Sequence, residues 1–253
     1  MFSQILWWIV SATEAFVLVR SGKAKLYGKY PAFYLYLSTV FFLEVVRFSI
    51  FHFRPISYPA FYWYTEFLAA SVGYAVILEI YKHALKSSPG AARIARTFLL
   101  VVLGAVILKV MANALSSPVW SPATTSAELE RSLRTVQALL LFGIVALLAY
   151  YWVPIGRNLK GITLGYGFYI CASVMSLAFG SLPGYGLRPA WRFVQPIAYL
   201  VALFIWSLAL WSYQPNPEAE TESQIELDYR FLVNKTKRVL SRAQSFLKLD
   251  GEL

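Results

Sequence analysis

The stretch that decides the fold is residues 31–53, PAFYLYLSTVFFLEVVRFSIFHF. It is apolar nearly all round and lacks the alternation of a half-buried strand. A helix of about 20 apolar residues crosses the hydrocarbon core of a bilayer and satisfies its own backbone hydrogen bonds there. The stretch therefore predicts a transmembrane α-helix that begins at Pro31, because proline suits the first position of a helix.

Six further runs share this length and apolar character, at about 5–19, 60–82, 94–115, 133–153, 162–181 and 189–213. The whole chain is 58% hydrophobic and 14% charged, whereas a soluble domain averages about 45–50% and about 25%. We therefore predict an all-α, polytopic membrane protein, with a seven-helix transmembrane bundle over residues 1–213. Pro196 is expected to kink the seventh helix.

The basic residues of the short loops predict the orientation. Ten of them follow the first, third and fifth runs: Arg20, Lys23, Lys25, Lys29, Lys82, Lys86, Arg93, Arg96, Arg157 and Lys160. The other side has five: Arg54, Arg131, Arg134, Arg188 and Arg192. Basic loops remain in the cytoplasm, so we expect a protein of the bacterial inner membrane with its N-terminus outside and its C-terminus cytoplasmic. The net charge of +10 then reflects topology, and no nucleic-acid partner is predicted.

Residues 214–253 form a separate cytoplasmic tail that begins with the helix breaker Gln214-Pro215-Asn216-Pro217. A seam with steps of four and three follows: Ile225, Tyr229, Leu232, Thr236, Val239, Ala243 and Phe246. This pattern predicts an amphipathic helix. It fits a short coiled coil that makes a homodimer or binds a membrane-protein partner, a helix on the membrane surface, or a cap on the inner face of the bundle.

Ionisable and amide side chains at membrane depth are the candidate site. The outer group consists of Glu44, Arg47, Glu66, Lys109, Gln137 and Gln195, and the inner group of Glu14, Glu79 and His83. A charge in the bilayer core costs at least about 2.5–3.5 kcal/mol, so such residues need partners. The four outer charges sum to zero, and we expect a paired network in which Lys109 neutralises Glu66 or Glu44. Such a network either fixes helix packing or lines a polar pocket in the outer half.

Chemistry-bearing motifs give no further site. The sequence has no HExxH, no phosphate loop, no GxSxG and no dinucleotide fingerprint. We predict no catalytic residue, no cofactor and no metal site, and do not expect an enzyme. The sixth run is rich in small residues, among them Gly161, Gly165 and Gly167, which predicts close packing against other helices or, alternatively, a homodimer face.

Three segments carry a resemblance: WYTEF at 63–67, SPVWSP at 117–122 and WSYQPNP at 211–217. In these the chain resembles a group of uncharacterised multi-pass membrane proteins of acidobacterial type. The resemblance implies a seven-helix membrane protein and no particular activity. In helix count alone, the chain is also similar to the seven-helix sensory regions that precede bacterial signalling domains.

Three functions are consistent with these observations. The first is a membrane sensor or binding module, which takes a small apolar or zwitterionic ligand in the outer-half polar pocket. The second is a small-solute or proton-coupled transporter, and the third is a scaffold subunit of a membrane complex. The lipid bilayer is the partner that all three require.

Overall fold

The computed structural model describes residues 2–23, 26–116, 122–180, 188–217 and 224–249. Within these ranges the chain forms α-helices and one 3-10 turn, and no strand. The helices are α1 (Phe2–Lys23), α2 (Pro31–Phe53), α3 (Tyr58–Ala84), α4 (Pro89–Ser116), α5 (Pro122–Tyr150), α6 (Arg157–Gly180), α7 (Arg188–Ala209) and α8 (Gln224–Leu249). The predicted all-α fold is confirmed.

Several helices have the length and composition of membrane spans. Four of the described segments qualify: Ile5–Gly22, Pro31–Phe53, Pro89–Lys109 and Glu130–Tyr150. A shorter apolar segment, Phe193–Ala209, lies in α7. These apolar helices indicate a membrane-embedded protein.

Proline begins α2, α4 and α5, where its missing N–H removes no helical hydrogen bond. The bounds of α2 are those predicted from the sequence. The start of α5 is not, because this helix begins at Pro122 and not near residue 133. As a result Glu130 and Arg134 lie well inside a helix instead of at its outer edge.

The helix contacts form a closed ring in the order α1, α2, α3, α5, α6 and α7, in which α7 returns to α1. Outside this ring, α4 packs on α3 and α5, and α8 packs on α4. The position of α4 explains its surface. Leu99 is buried, whereas Phe98, Val101 and Leu108 are exposed as a lipid-facing surface would be.

The small residues of α6 lie against α7. A methyl group added at Gly165 would lie 2.5 Å from the indole nitrogen of Trp206, and one at Gly161 would meet Ala209. Gly167, by contrast, faces open space. Gly161 and Gly165 therefore serve close packing inside the chain.

Candidate functional site

Four buried charges join three helices. Arg47 on α2 donates from Nη1 to Oε1 of Glu66 on α3 across 2.7 Å. Arg134 on α5 donates from Nη2 to Oε2 of the same carboxylate across 2.7 Å, and from Nε to Glu130 across 2.6 Å. Arg134 is 2% exposed and Glu66 is 7% exposed. We call these four residues the ion network.

Neighbouring groups complete the ion network. Arg47 donates from Nε to the hydroxyl oxygen of Thr65 across 2.6 Å. Its guanidinium lies 4.9 Å from the ring centre of Tyr62, and that of Arg134 lies 5.4 Å from the ring centre of Tyr169. Such cation–π contacts stabilise a desolvated guanidinium. With two positive and two negative charges the ion network is neutral, and its central carboxylate has a partner at each oxygen.

The predicted outer residues do not form one cluster in the structure. The structure joins Arg47 to Glu66, two of the four charges for which the sequence predicts a paired network. Glu44 accepts a hydrogen bond from Ser11 of α1 across 3.2 Å. Buried Gln137 donates to the carbonyl of Ala70 across 2.7 Å. These residues tie α1, α2, α3 and α5 together.

Two outer residues lie elsewhere. Lys109 is exposed on α4, and the prediction that it neutralises Glu66 or Glu44 is wrong, because Arg134 occupies that place at Glu66. The physical reason is that α4 lies outside the helix ring. Gln195 is half-buried on α7, and no contact among the described residues joins it to the ion network.

Sequence reasoning missed Glu130 and Arg134 as site residues. The signal was present in their spacing: Glu130, Arg134 and Gln137 are four and three residues apart, so they share one face of a helix. The predicted start of the fifth run, near residue 133, leaves Glu130 outside the helix. A longer α5 places all three on its buried face.

Two of the inner residues have a structural role. Glu79 accepts hydrogen bonds from the backbone N–H groups of Ala32 and Phe33, across 3.1 and 2.9 Å. These belong to the first turn of α2, whose N–H groups have no partner within the helix, so Glu79 caps α2 from a distance. His83 contacts the carbonyl of Glu79 through Nδ1 across 2.9 Å, and its ring lies 5.1 Å from the ring centre of Tyr30 at a tilt of 42°.

Glu14 on α1 has a different environment. Its side chain is 0% exposed. Oε1 accepts a hydrogen bond from the hydroxyl of Tyr199 on α7, whereas Oε2 is buried without a hydrogen-bond partner among the described residues. A second acid, Glu44, lies close by, because it accepts a hydrogen bond from Ser11, which is three residues before Glu14 on the same face of α1. We call Glu14 and Glu44 the acid pair, and none of the described contacts places an arginine or lysine on Glu14.

The cavities of the described surface lie away from both clusters. A depression of about 390 Å³ on α4 is lined by Arg93, Ile94, Thr97, Phe98 and Val101. A second, of about 10 Å³, lies between α1 and α7 near Arg20. Neither is lined by the ion network.

The first turns of α8 dock on the ends of α4 and α5. Glu226 accepts a hydrogen bond from the backbone N–H of Gly90 across 3.1 Å, and the ring of Tyr229 covers Gly90. Tyr151 donates its hydroxyl to Asp228 across 2.9 Å. This hydrogen bond raises the pKa of Tyr151, because it favours the protonated phenol. This part of α8 packs on the other helices, and the three roles predicted for the tail stay predictions.

Comparisons with known proteins assign no relative to this chain. No family model, no curated protein and no solved structure matches it. The resemblance to multi-pass membrane proteins of acidobacterial type stays a prediction, and the functional argument depends on the geometry of the site.

Proposed function

We propose that this chain is a seven-span protein of the bacterial inner membrane that acts as a cation-responsive binding module. In this proposal its N-terminus is outside, its C-terminus is cytoplasmic, and the acid pair takes up a proton or a small cation. The topology is supported by the apolar helices and by the excess of basic residues predicted for one side, ten against four once the buried Arg134 is left out. An odd number of spans puts the two termini on opposite sides.

The observation that carries the proposal is the buried carboxylate oxygen of Glu14 that finds no hydrogen-bond partner among the residues the structure describes. A carboxylate buried at membrane depth needs a compensating positive charge, and an ionisable residue there is by default a functional candidate. Glu66 has two arginines for this purpose, whereas Glu14 has the neutral hydroxyl of Tyr199 and a second acid, Glu44. Two neighbouring acids repel each other when both are ionised, so the pair attracts a proton or a small cation.

The ion network is the poorer candidate for binding. Its central carboxylate already accepts from Arg47 and Arg134, and its four charges cancel. A ligand would have to replace existing ion pairs at full desolvation cost. Its role in our proposal is to hold α2, α3 and α5 in register.

The acid pair is connected to the tail through α7. Tyr199 lies on α7, and the chain leaves α7 at Ala209 to reach α8. When a cation binds at Glu14, the hydrogen bond from Tyr199 is the contact that must adjust first. We therefore assign the output of the binding module to the docking of α8 on α4 and α5.

Cation-dependent stability tests the proposal. The protein is purified in mild detergent, and its unfolding temperature is measured against pH and against added sodium or potassium. A cation that binds the folded state alone stabilises it, by about 2.7 kcal/mol at a hundredfold excess over Kd. We expect the unfolding temperature of the wild type to rise with proton or cation concentration, and Glu14→Gln to abolish this dependence.

Glu79→Gln is the matched control, because Glu79 is a buried carboxyl group with both oxygens bonded to backbone N–H groups. It should retain the cation dependence of the wild type. If Glu14→Gln and the wild type respond alike, the proposed cation site is wrong.

Flux through liposomes separates a binding module from a carrier. The reconstituted protein is challenged with a pH gradient and an entrapped pH-sensitive dye. A binding module leaves the gradient intact. Proton flux that is lost in Glu14→Gln would instead assign a proton-coupled transporter with the same cation site.

A further inference from the structure

Three cationic side chains from different parts of the chain converge on residues 211–213, the segment that follows α7. Arg20 of α1 stacks on the ring of Trp211 with its guanidinium carbon 3.4 Å from the ring centre, and donates to the carbonyl of Trp211 across 3.3 Å. Arg157 at the start of α6 donates to the hydroxyl of Ser212 across 2.8 Å. Lys29, in the connection between α1 and α2, lies 5.2 Å from the ring centre of Tyr213. We call Arg20, Lys29 and Arg157 the inner cation cluster.

The partners of the inner cation cluster are all neutral. They are backbone carbonyls, one hydroxyl and two aromatic faces, and no ion pair between described residues includes any of the three cations. In addition, Nε of Arg20 is buried and has no acceptor among the residues that the structure describes. The two arginines of the ion network, by contrast, each have a carboxylate. Within the described part of the chain, the three charges of the inner cation cluster therefore have no acidic partner, and Arg20 has a spare buried donor.

The segment that gathers these cations is held in a fixed shape by Asn158. This side chain is fully buried and donates to the carbonyls of Ala209 and Ser212, each across 2.9 Å. Its oxygen accepts from the backbone N–H of Gln214 across 2.6 Å. The positions of the cations are thus built by the fold and do not depend on loose surface side chains alone.

The surroundings of the inner cation cluster are those of a membrane interface. Trp211 is 52% and Tyr213 42% exposed, and aromatic rings of this kind concentrate at the level of lipid headgroups. The small cleft between α1 and α7 places Arg20 beside the apolar side chains of Phe16 and Leu210. A molecule bound here meets positive charge at one end and hydrocarbon at the other.

We propose that the inner cation cluster binds the phosphate group of an anionic phospholipid. Arginine presents paired N–H donors that match phosphate oxygens, and lysine adds a point charge. Basic pockets between membrane helices on the cytoplasmic side bind such headgroups. The proposal is independent of the acid pair, which shares no residue with the inner cation cluster.

Native mass spectrometry tests this site. The full chain is reconstituted in nanodiscs that contain equal amounts of phosphatidylglycerol and phosphatidylcholine. The protein is then released from the nanodiscs in the mass spectrometer, and the lipid that stays bound to it is identified by mass. We expect the wild type to retain phosphatidylglycerol selectively. Each of Arg20→Gln and Arg157→Gln should lower its retained fraction about fivefold, the equivalent of about 1 kcal/mol per residue.

Arg93→Gln with Arg96→Gln is the matched control, because both arginines are exposed on α4 and are counted on the same side of the membrane. This double variant should retain phosphatidylglycerol as the wild type does. Equal loss in the control and in the cluster variants would mean that general surface charge attracts the lipid, and would overturn the site. Arg20→Lys keeps the charge and serves as a check on folding, since it should retain more lipid than Arg20→Gln.

A competition experiment distinguishes a site for a lipid headgroup from a site for a soluble anion. Inorganic phosphate is added at increasing concentration to the lipid-loaded wild type. The proposal expects lipid to remain bound, because the apolar side chains beside Arg20 also hold it. Full displacement by inorganic phosphate would assign a site for a soluble phosphate and overturn the assignment to a lipid.

Discussion

Arg134 on α5 donates to Glu66 on α3 across 2.7 Å, at a carboxylate whose other oxygen already accepts from Arg47 on α2. One buried carboxylate thus fixes the relative positions of three helices. Removing one partner from a buried ion pair costs more than the pair itself contributes, because the remaining charge stays desolvated.

Replacement of the central carboxylate should therefore destabilise the fold. Glu66→Gln leaves Arg47 and Arg134 facing a neutral amide, and we expect a loss of about 3–5 kcal/mol in the free energy of unfolding. Reversible unfolding in mixed micelles measures it. Lys109→Gln is the control and should change little, because Lys109 is exposed on α4. A large loss in Lys109→Gln would show that Lys109 does neutralise the network.

Simultaneous removal of one acid and one base should cost less than the two single changes added together. Glu130→Gln with Arg134→Gln leaves Arg47 and Glu66 as a one-to-one pair, so the remaining charges still cancel. A double-mutant cycle should give a coupling energy of about 0.5–3 kcal/mol. Strict additivity would contradict the contact between Glu130 and Arg134.

Close packing of α6 on α7 should depend on the absence of a side chain at Gly165. Gly165→Ala would bring a methyl group to 2.5 Å from the indole nitrogen of Trp206, and such overpacking costs about 1–3 kcal/mol. Gly167→Ala is the matched control on the same helix, where the added methyl group meets open space. It should be neutral or stabilise the helix by up to about 1 kcal/mol. Equal thermal stability of the two variants would contradict the packing described here.

Docking of α8 should weaken at alkaline pH. The docked state keeps the phenol of Tyr151 protonated through its hydrogen bond to Asp228, which raises the pKa of Tyr151 above its ordinary value of about 10. Docking is therefore at full strength below that ordinary value and is lost as the pH rises through the raised pKa. Hydrogen exchange of α8 measures the effect. Tyr151→Phe should remove the pH dependence, and an unchanged alkaline transition in that variant would assign it to another group.

Local sequence predicts where the helices begin and end better than it predicts which helices contact each other. Pro31 and the Arg54-Pro55 pair mark both ends of α2, and the prediction from sequence coincides with the structure. The exposed position of Lys109 could not be predicted from the sequence. The α4 helix has apolar residues on every face, so its sequence does not indicate which face packs against the ring of six helices. Arg134 was within reach, since its spacing from Glu130 and Gln137 already places the three on one helix face.

Long-range caps are the other class of contact that local patterns do not reveal. Glu79 was grouped with Glu14 because both acids were placed at similar depth. In the structure Glu79 binds backbone groups of Ala32 and Phe33, which lie more than forty positions earlier in the chain. Only the packing of α2 on α3 brings these groups together, whereas Glu14 has the hydroxyl of Tyr199 in their place.

The most direct test of the central claim is infrared difference spectroscopy of the carboxyl groups in reconstituted protein, recorded across a pH or cation titration. The account predicts a carboxyl band that changes with the titration, disappears in Glu14→Gln, shifts in Tyr199→Phe and persists in Glu79→Gln. A titration spectrum of Glu14→Gln identical to that of the wild type would contradict the assignment of Glu14 as the cation-binding group.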